Sequence, residues 1–203
     1  MRKVKLNVRS NFHIKPEIRI LGVDDSALLG KRVKLVGTIF RGGTWLDGVL
    51  SSEITRDGKD ATKVICRMVK ESKHYKQVRV IMLDGVTYGG FNVVDISRLN
   101  KATDLPVIVV MRTFPDFKSI KAALRHFKDG AARLRVIKKA GRIEKVSLKE
   151  RKSPIYIQKA GISLESAIKI VRLSTTRSNI PEPLRVAHMI ATGIIFGESR
   201  GKA

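Results

Sequence analysis

The sequence predicts an α/β protein built on a mixed sheet with helices on both faces. Three observations carry this. Three β-rich runs follow one another in hairpin arrangement near the start, and strands then alternate with helices. The run Leu105 to Met111 is almost wholly apolar, as a strand covered on both faces must be. The chain has 203 residues, which suits one domain over 18–203, with 1–17 as a basic arm or edge strand.

Residues 18–23 (I-R-I-L-G-V) read as a strand that runs into Asp24-Asp25-Ser26. Residues 33–40 alternate as a second strand, Arg41-Gly42-Gly43 marks a turn, and 45–54 return as a third. Ala61, Val64, Ile65, Met68 and Val69 fall at helical spacing and predict one amphipathic helix over about 58–71. Residues 78–83 form a short strand ending at Asp84-Gly85, and Val93, Val94, Ile96 and Leu99 predict a helix. The strand over 105–111 follows, and Pro115 opens a helix bearing Ile120, Leu124 and Phe127. The strongly basic stretch 128–152 reads as a β-excursion that pairs 142–148 with 155–158. Two helices close the chain, the first capped by Ser163 and the second opening at Pro181.

Lys and Arg number 41 against 18 Asp and Glu, for a formal charge of +23, while 43% of residues are hydrophobic. That hydrophobic share provides a real core, so the chain is no disordered polycation, and the charge points to a polyanionic partner. No apolar run approaches the ~20 residues that span a bilayer. The start is basic without a continuous apolar core, so no signal peptide is read there. Cys66 is the single cysteine, which excludes an internal disulfide and a cysteine-built zinc site. The expectation is a soluble cytoplasmic protein.

Because acids are scarce, their positions carry information. Asp24 closes one predicted strand and Asp84 another. If the two strands are parallel neighbours, ~4.8 Å apart, both side chains share one end of the sheet, where α/β proteins build their sites. Carboxylates that close repel unless a cation neutralises them, and Mg²⁺ or Mn²⁺ takes such oxygen ligands. With a basic surface, this combination points to phosphodiester chemistry. On spacing alone, Asp-Asp-Ser and Asp-Gly read as turn residues sooner than as a metal site, Asp57 before Gly58 reads as a helix cap, and Asp25 reads as solvated.

The same stretches resemble endonuclease V. Ile20 to Asp24 is similar to its opening strand, and Val80 to Gly85 with the strand over 105–110 is similar to its central Asp-Gly strand and the next. Ile162 to Ala167 and Ile180 to Arg185 resemble its last helices, and Thr55-Arg56-Asp57-Gly58 falls where that family has Phe-Arg-Glu-Gly. The resemblance covers roughly 18–196 and is closer to an archaeal offshoot, endonuclease dU. It implies an RNase H-like fold and Mg²⁺-dependent cleavage of DNA near a deaminated base, most of all deoxyuridine, with Asp24, Asp57 and Asp84 as the metal-binding carboxylates. The sequence departs from endonuclease V at a histidine, where Ala160-Gly161 stands, and at the wedge, which falls near residues 47–50. Arg112 replaces a lysine there, and Val86-Thr87 follows Asp84-Gly85 in place of His-Gly.

Between Lys118 and Lys152 lie 13 basic and three acidic residues, a density suited to phosphate contact. Arg112, Lys118 and Lys121 lie nearest the site end of the sheet and are assigned to nucleic acid. Among the loop aromatics Trp45, Tyr88, Phe91 and Phe114, Tyr88 beside Gly89-Gly90 is the candidate for stacking on an extruded base, with Gly85 and Gly89 lining the pocket, and it reads equally as ordinary packing over the sheet edge. None of His13, His74, His126 and His188 pairs at metal-ligand spacing, and His188, amid Val186, Met189 and Ile190, reads as packed or capping. DNA is the expected partner, with RNA open. A non-catalytic nucleic-acid-binding protein on a decayed nuclease fold, or a component of an RNA–protein complex, are the competing readings.

Overall fold

A computed structural model describes residues 13–148 and 153–201. Most of the predicted arm and residues 149–152 lie outside the described residues; of the arm, residues 16–17 form a turn that leads into the first strand. In chain order the elements are β1 (Arg19–Asp25), β2 (Arg32–Arg41), β3 (Trp45–Thr55), α1 (Ala61–Lys70), β4 (Val80–Asp84), β5 (Thr87–Tyr88), β6 (Asn92–Val93), α2 (Ile96–Thr103), β7 (Val107–Met111), α3 (Phe117–Leu124), α4 (Gly130–Lys139), β8 (Glu144–Val146), β9 (Ile155–Ala160), α5 (Leu164–Ser174) and α6 (Glu182–Phe196).

Seven strands form one sheet in the order β3-β2-β1-β4-β7-β9-β8. The opening strands pair antiparallel as the hairpin pattern requires, and β1, β4 and β7 run parallel at the centre. Strand period sorts the side chains of the centre into two cores. Leu21, Val23, Ile81, Leu83, Val107 and Val109 face α1, α2 and the α3–α4 pair. Ile20, Val80, Met82, Ile108 and Val110 face the opposite layer with Ile170, Val171 and Leu184 of α5 and α6.

Gly22 and Thr38, paired across β1 and β2, form the saddle on which α6 begins. A Cβ on Gly22 would meet the Pro183 backbone carbon at 2.4 Å, and the Thr38 hydroxyl donates to the Pro183 carbonyl at 2.6 Å. Only glycine allows this approach. From Pro183, five helical residues advance ~7.5 Å, and from Gly22 two strand residues advance ~6.6 Å. His188 is thereby brought beside Asp24.

Three expectations are corrected. The basic stretch is not solely a β-excursion: Gly130, Arg133 and Ile137 are the buried face of α4, and only Glu144–Val146 pairs with β9. Arg135, Lys138 and Lys139 lie on its outer face and, with the buried Arg133, mask that stripe in composition. The helix predicted from Val93 begins only at Ile96, because Asp95 caps it by accepting from the Arg98 amide and the preceding residues close the β5–β6 hairpin. Asp60, not Asp57, stands at the α1 N-cap position. Ser163 caps α5 as expected, accepting from the Ser166 amide at 3.1 Å.

Candidate functional site

Pairing of Val23 with Leu83 across parallel β1 and β4 places the next residues, Asp24 and Asp84, side by side at the carboxyl end of the sheet. Both continue the face that carries Ile20 and Met82, so both turn toward α6. Asp24 is 5% exposed, and its Oδ1 accepts the Asp25 amide at 2.8 Å. Burial, then repulsion from Asp24, pushes the Asp84 carboxyl up to about 6, against the pull of Arg112, whose guanidinium lies 3.3 Å from Asp84 Oδ2.

His188 joins this pair, contrary to the packed role read from its neighbours in sequence. Its Nδ1 lies 2.9 Å from Asp24 Oδ2 and its Nε2 lies 3.2 Å from the Arg200 carbonyl. Both partners accept, so only the doubly protonated ring donates to both. The hydrogen bond to Asp24 accordingly raises the His188 pKa despite partial burial. No sequence signal marks this contact, which spans 164 residues.

Asp25 is not solvated. One residue beyond Asp24, it faces the other way and accepts the Gly89 amide. Burial, opposed by that bond and assisted by repulsion from Asp24 and Asp84, holds its carboxyl at about 7. Among the described residues no hydrogen bond or ion pair links Asp57 to Asp24 or Asp84. Asp57 sits at φ +53°, with Oδ1 accepting from the Phe91 amide at 2.8 Å and its own amide donating to the Gly89 carbonyl at 2.7 Å. Asp25 and Asp57 therefore clamp the Gly89–Phe91 turn from two sides. Arg133 fixes that turn to the Asp57 loop, donating to the carbonyls of Gly58 at 2.8 Å and Phe91 at 2.6 Å.

Tyr88 cannot stack on a base. It is 0% exposed and its hydroxyl donates to the Val23 carbonyl at 2.9 Å, while burial drives its pKa well above 10. Gly89 is likewise buried. The period-2 turn of β5 directs Tyr88 into the core under Asp25. Among the described residues the exposed aromatics are Trp45 and Phe114. Phe114 meets Phe117 and Tyr156 edge-on at 6.3 and 5.6 Å between centroids.

A cavity of about 450 Å³ opens beside Asp84. Gly85, Thr87, Arg112 and Gln158 line it together with Met111, Phe117, Ile120, Ile137 and Ile143. Of the expected site residues it thus gathers Asp84, Gly85 and Arg112. Lys118 and Lys121 are exposed on α3, whose Phe117 and Ile120 wall the cavity, so their charges flank it.

The donor set suits a hard cation. Among the described residues no three His, Cys, Asp or Glu side chains converge to hold a metal ion. Asp24 and Asp84 offer a pair, and Mg²⁺ is commonly held by one or two carboxylates, with water and phosphate oxygens completing its shell. No helix among the described residues is long and apolar enough to cross a membrane.

Comparison with known proteins places this geometry in a lineage. A UPF0215 protein of Methanosarcina acetivorans is 70% identical over 193 residues, 95% of this chain and 98% of its own length. The crystal structure of a protein of unknown function from Archaeoglobus fulgidus superposes with a TM-score of 0.81 at 40% identity, covering 89% of this chain and 99% of that one. Endonuclease V of Ciona intestinalis, solved with a 24mer DNA containing an inosine followed by a ribo-adenosine, has a TM-score of 0.56 at 18% identity over 84% of this chain and 82% of its own. At that identity the likeness is one of fold: a mixed sheet flanked by helices, similar to endonuclease V, as expected. Residues 16–195 match the family model described as endonuclease dU. With the archaeal relative at 70% identity, the chain belongs to the endonuclease dU family.

Proposed function

We propose that this protein is a metal-dependent endonuclease that cuts DNA at or near a deaminated base, deoxyuridine foremost, in the cytoplasm. The observation that carries the reading is the pairing of Asp24 and Asp84 at the carboxyl ends of two parallel strands, beside a cavity and a basic surface. Asp24 and Asp84 would hold the divalent cation, Mg²⁺ or Mn²⁺. Asp57 would contribute through Oδ2, which lies 3.8 Å from Arg56 Nε, since its Oδ1 is taken by the Phe91 amide. When bound, the cation supplies Lewis-acid stabilisation of the charge that develops on the scissile phosphate.

The chain's own residues do the rest. Without a cation, Arg112 and His188 balance the two carboxylates; a phosphate arriving at the pair meets the same Arg112 as a hydrogen-bond donor. Lys118 and Lys121 neutralise backbone phosphates on the approach. The extruded base enters the cavity beside Asp84 and Gly85, walled by Met111, Phe117 and Ile137. A mispaired deaminated base is cheaper to extrude than a correct pair, which supplies part of the selectivity.

The test is incubation with Mg²⁺ or Mn²⁺ and labelled duplexes carrying uracil, hypoxanthine or no lesion. Metal-dependent cutting of the uracil strand, abolished in Asp84→Ala with DNA binding retained, is the expected result; unchanged cutting in that variant removes the assignment. The neutralisation of Asp24 and Asp84 by His188 and Arg112 favours one second reading, a binding protein without turnover. It requires affinity that is indifferent to Mg²⁺ and to base damage.

A further inference from the structure

One buried polar side chain in the cavity engages its amide nitrogen but not its oxygen. Gln158 lies on β9 opposite Val109 of β7 and is 4% exposed. Its Nε2 donates to the Gly141 carbonyl at 2.8 Å. Gly141, at φ +94°, follows the C-terminal end of α4. Because a carbonyl can only accept, this bond fixes which way the amide faces: nitrogen to Gly141, oxygen elsewhere. Among the described residues no donor reaches Oε1, yet every fully buried side-chain N or O among them has a partner. The oxygen is therefore not fully buried, and Gln158 lines the cavity.

We infer that Gln158 Oε1 is the acceptor that recognises a deaminated base, by taking a hydrogen bond from its ring N–H. The inference rests on the nuclease reading above and names what that site reads. Deamination replaces an exocyclic amine by a carbonyl and leaves a hydrogen on the adjacent ring nitrogen. Uracil has N3–H where cytosine has a bare N3, and hypoxanthine has N1–H where adenine has a bare N1. An amide oxygen among Met111, Phe117, Ile120 and Ile137 pairs with the first of each couple and faces a lone pair in the second. An unpaired acceptor in such surroundings penalises the parent base by about 10–100-fold. One fixed acceptor thus separates both deaminated products from their parents. It does not separate uracil from thymine, which shares the N3–H and is rejected only by its cost of extrusion from a correct pair.

The experiment uses the full chain with Mn²⁺ under single-turnover conditions. Duplexes carry, at one mispaired position, deoxyuridine, 5,6-dihydrodeoxyuridine, N3-methyldeoxyuridine or deoxycytidine. Dihydrodeoxyuridine, which keeps the N3–H, should be cut within about threefold of deoxyuridine, while the N3-methyl and cytosine duplexes fall by at least about tenfold. Gln158→Leu should lose about 10–100-fold on deoxyuridine and narrow its preference over cytosine, with binding to undamaged duplex unchanged. N3-methyldeoxyuridine cut as fast as deoxyuridine overturns the inference, whether or not the leucine variant folds. If the wild-type chain cuts none of the duplexes, the nuclease reading falls instead. The relative affinity for deoxyuridine and N3-methyldeoxyuridine single strands in chelator then decides the role of Gln158 by itself, equal affinity ending it.

Discussion

His188 Nδ1 lies 2.9 Å from Asp24 Oδ2, a contact set by a glycine two residues before the aspartate. Gly22 admits the backbone of Pro183 against β1, and α6 runs from there alongside the strand.

Gly22→Ala should therefore disturb the site without touching it. The added methyl meets Pro183 backbone and Cβ at 2.4 to 2.5 Å, so α6 must lift. The expected cost is about 1–3 kcal/mol, read by urea unfolding, together with a fall of the His188 pKa toward its ordinary value by NMR titration. An unchanged imidazole titration would show that α6 is placed by other contacts.

Asp84 and Asp25 are held at about 6 and about 7, above the ordinary 3.8, so the folded state keeps their protons longer than the unfolded chain does. Their contribution is present below pH 3.8 and is lost as pH rises through 6 and 7. In chelator, the midpoint of thermal unfolding should fall between pH 5 and pH 8 by several degrees more in the wild type than in Asp25→Asn. Millimolar Mn²⁺ should restore the wild type at pH 8 and leave Asp84→Asn unmoved. Equal pH profiles for wild type and Asp25→Asn would refute the coupling.

Tyr88→Phe tests the reassignment of that aromatic to the core. Loss of the hydroxyl bond to the Val23 carbonyl should cost about 0.5–1.5 kcal/mol of stability. The ratio of cutting at uracil to cutting at an undamaged site should stay the same. A large change in that ratio with stability intact would return Tyr88 to the base pocket.

Lys118 and Lys121 are exposed on α3. The double change to Gln should weaken duplex binding, damaged and undamaged alike, and reduce the slope of log affinity against log salt by about 2. Fluorescence anisotropy across 50–300 mM salt reads both quantities. A slope that does not move would take the two lysines off the DNA path.

The part of the site built from strand ends was legible in the sequence, because it needs only local pattern. Apolar runs ending in Asp24 and Asp84 read as strands, and parallel pairing does the rest. The contribution of His188 was not legible, since it depends on a helix docking on Gly22 from the far end of the chain. Tyr88 was misread for a related reason: two glycines beside an aromatic describe a tight turn, and strand period decides whether the ring faces solvent or core. In α4, Gly130, Arg133 and Ile137 do repeat at helical spacing, but Arg133 is itself charged, and with Arg135, Lys138 and Lys139 it dominates the composition. Gln158 read as an ordinary strand residue, because its chemistry depends on a carbonyl 17 residues away.

Adjacent residues of β1 serve opposite layers: Asp24 turns to the α6 side, while Asp25 reaches the Gly89 turn. A side-chain period of two makes their identities a matter of phase. Deleting one residue ahead of Asp24 within β1 would aim Asp25 at the imidazole, push Asp24 into the buried place of Val23 and leave Ser26 opposite the glycine turn. The strand would keep its composition, nearly its length and its hydrogen bonds to β4, yet the acid beside Asp84 would be a different one. The central pairing of this sheet is thus a reading frame for its chemistry.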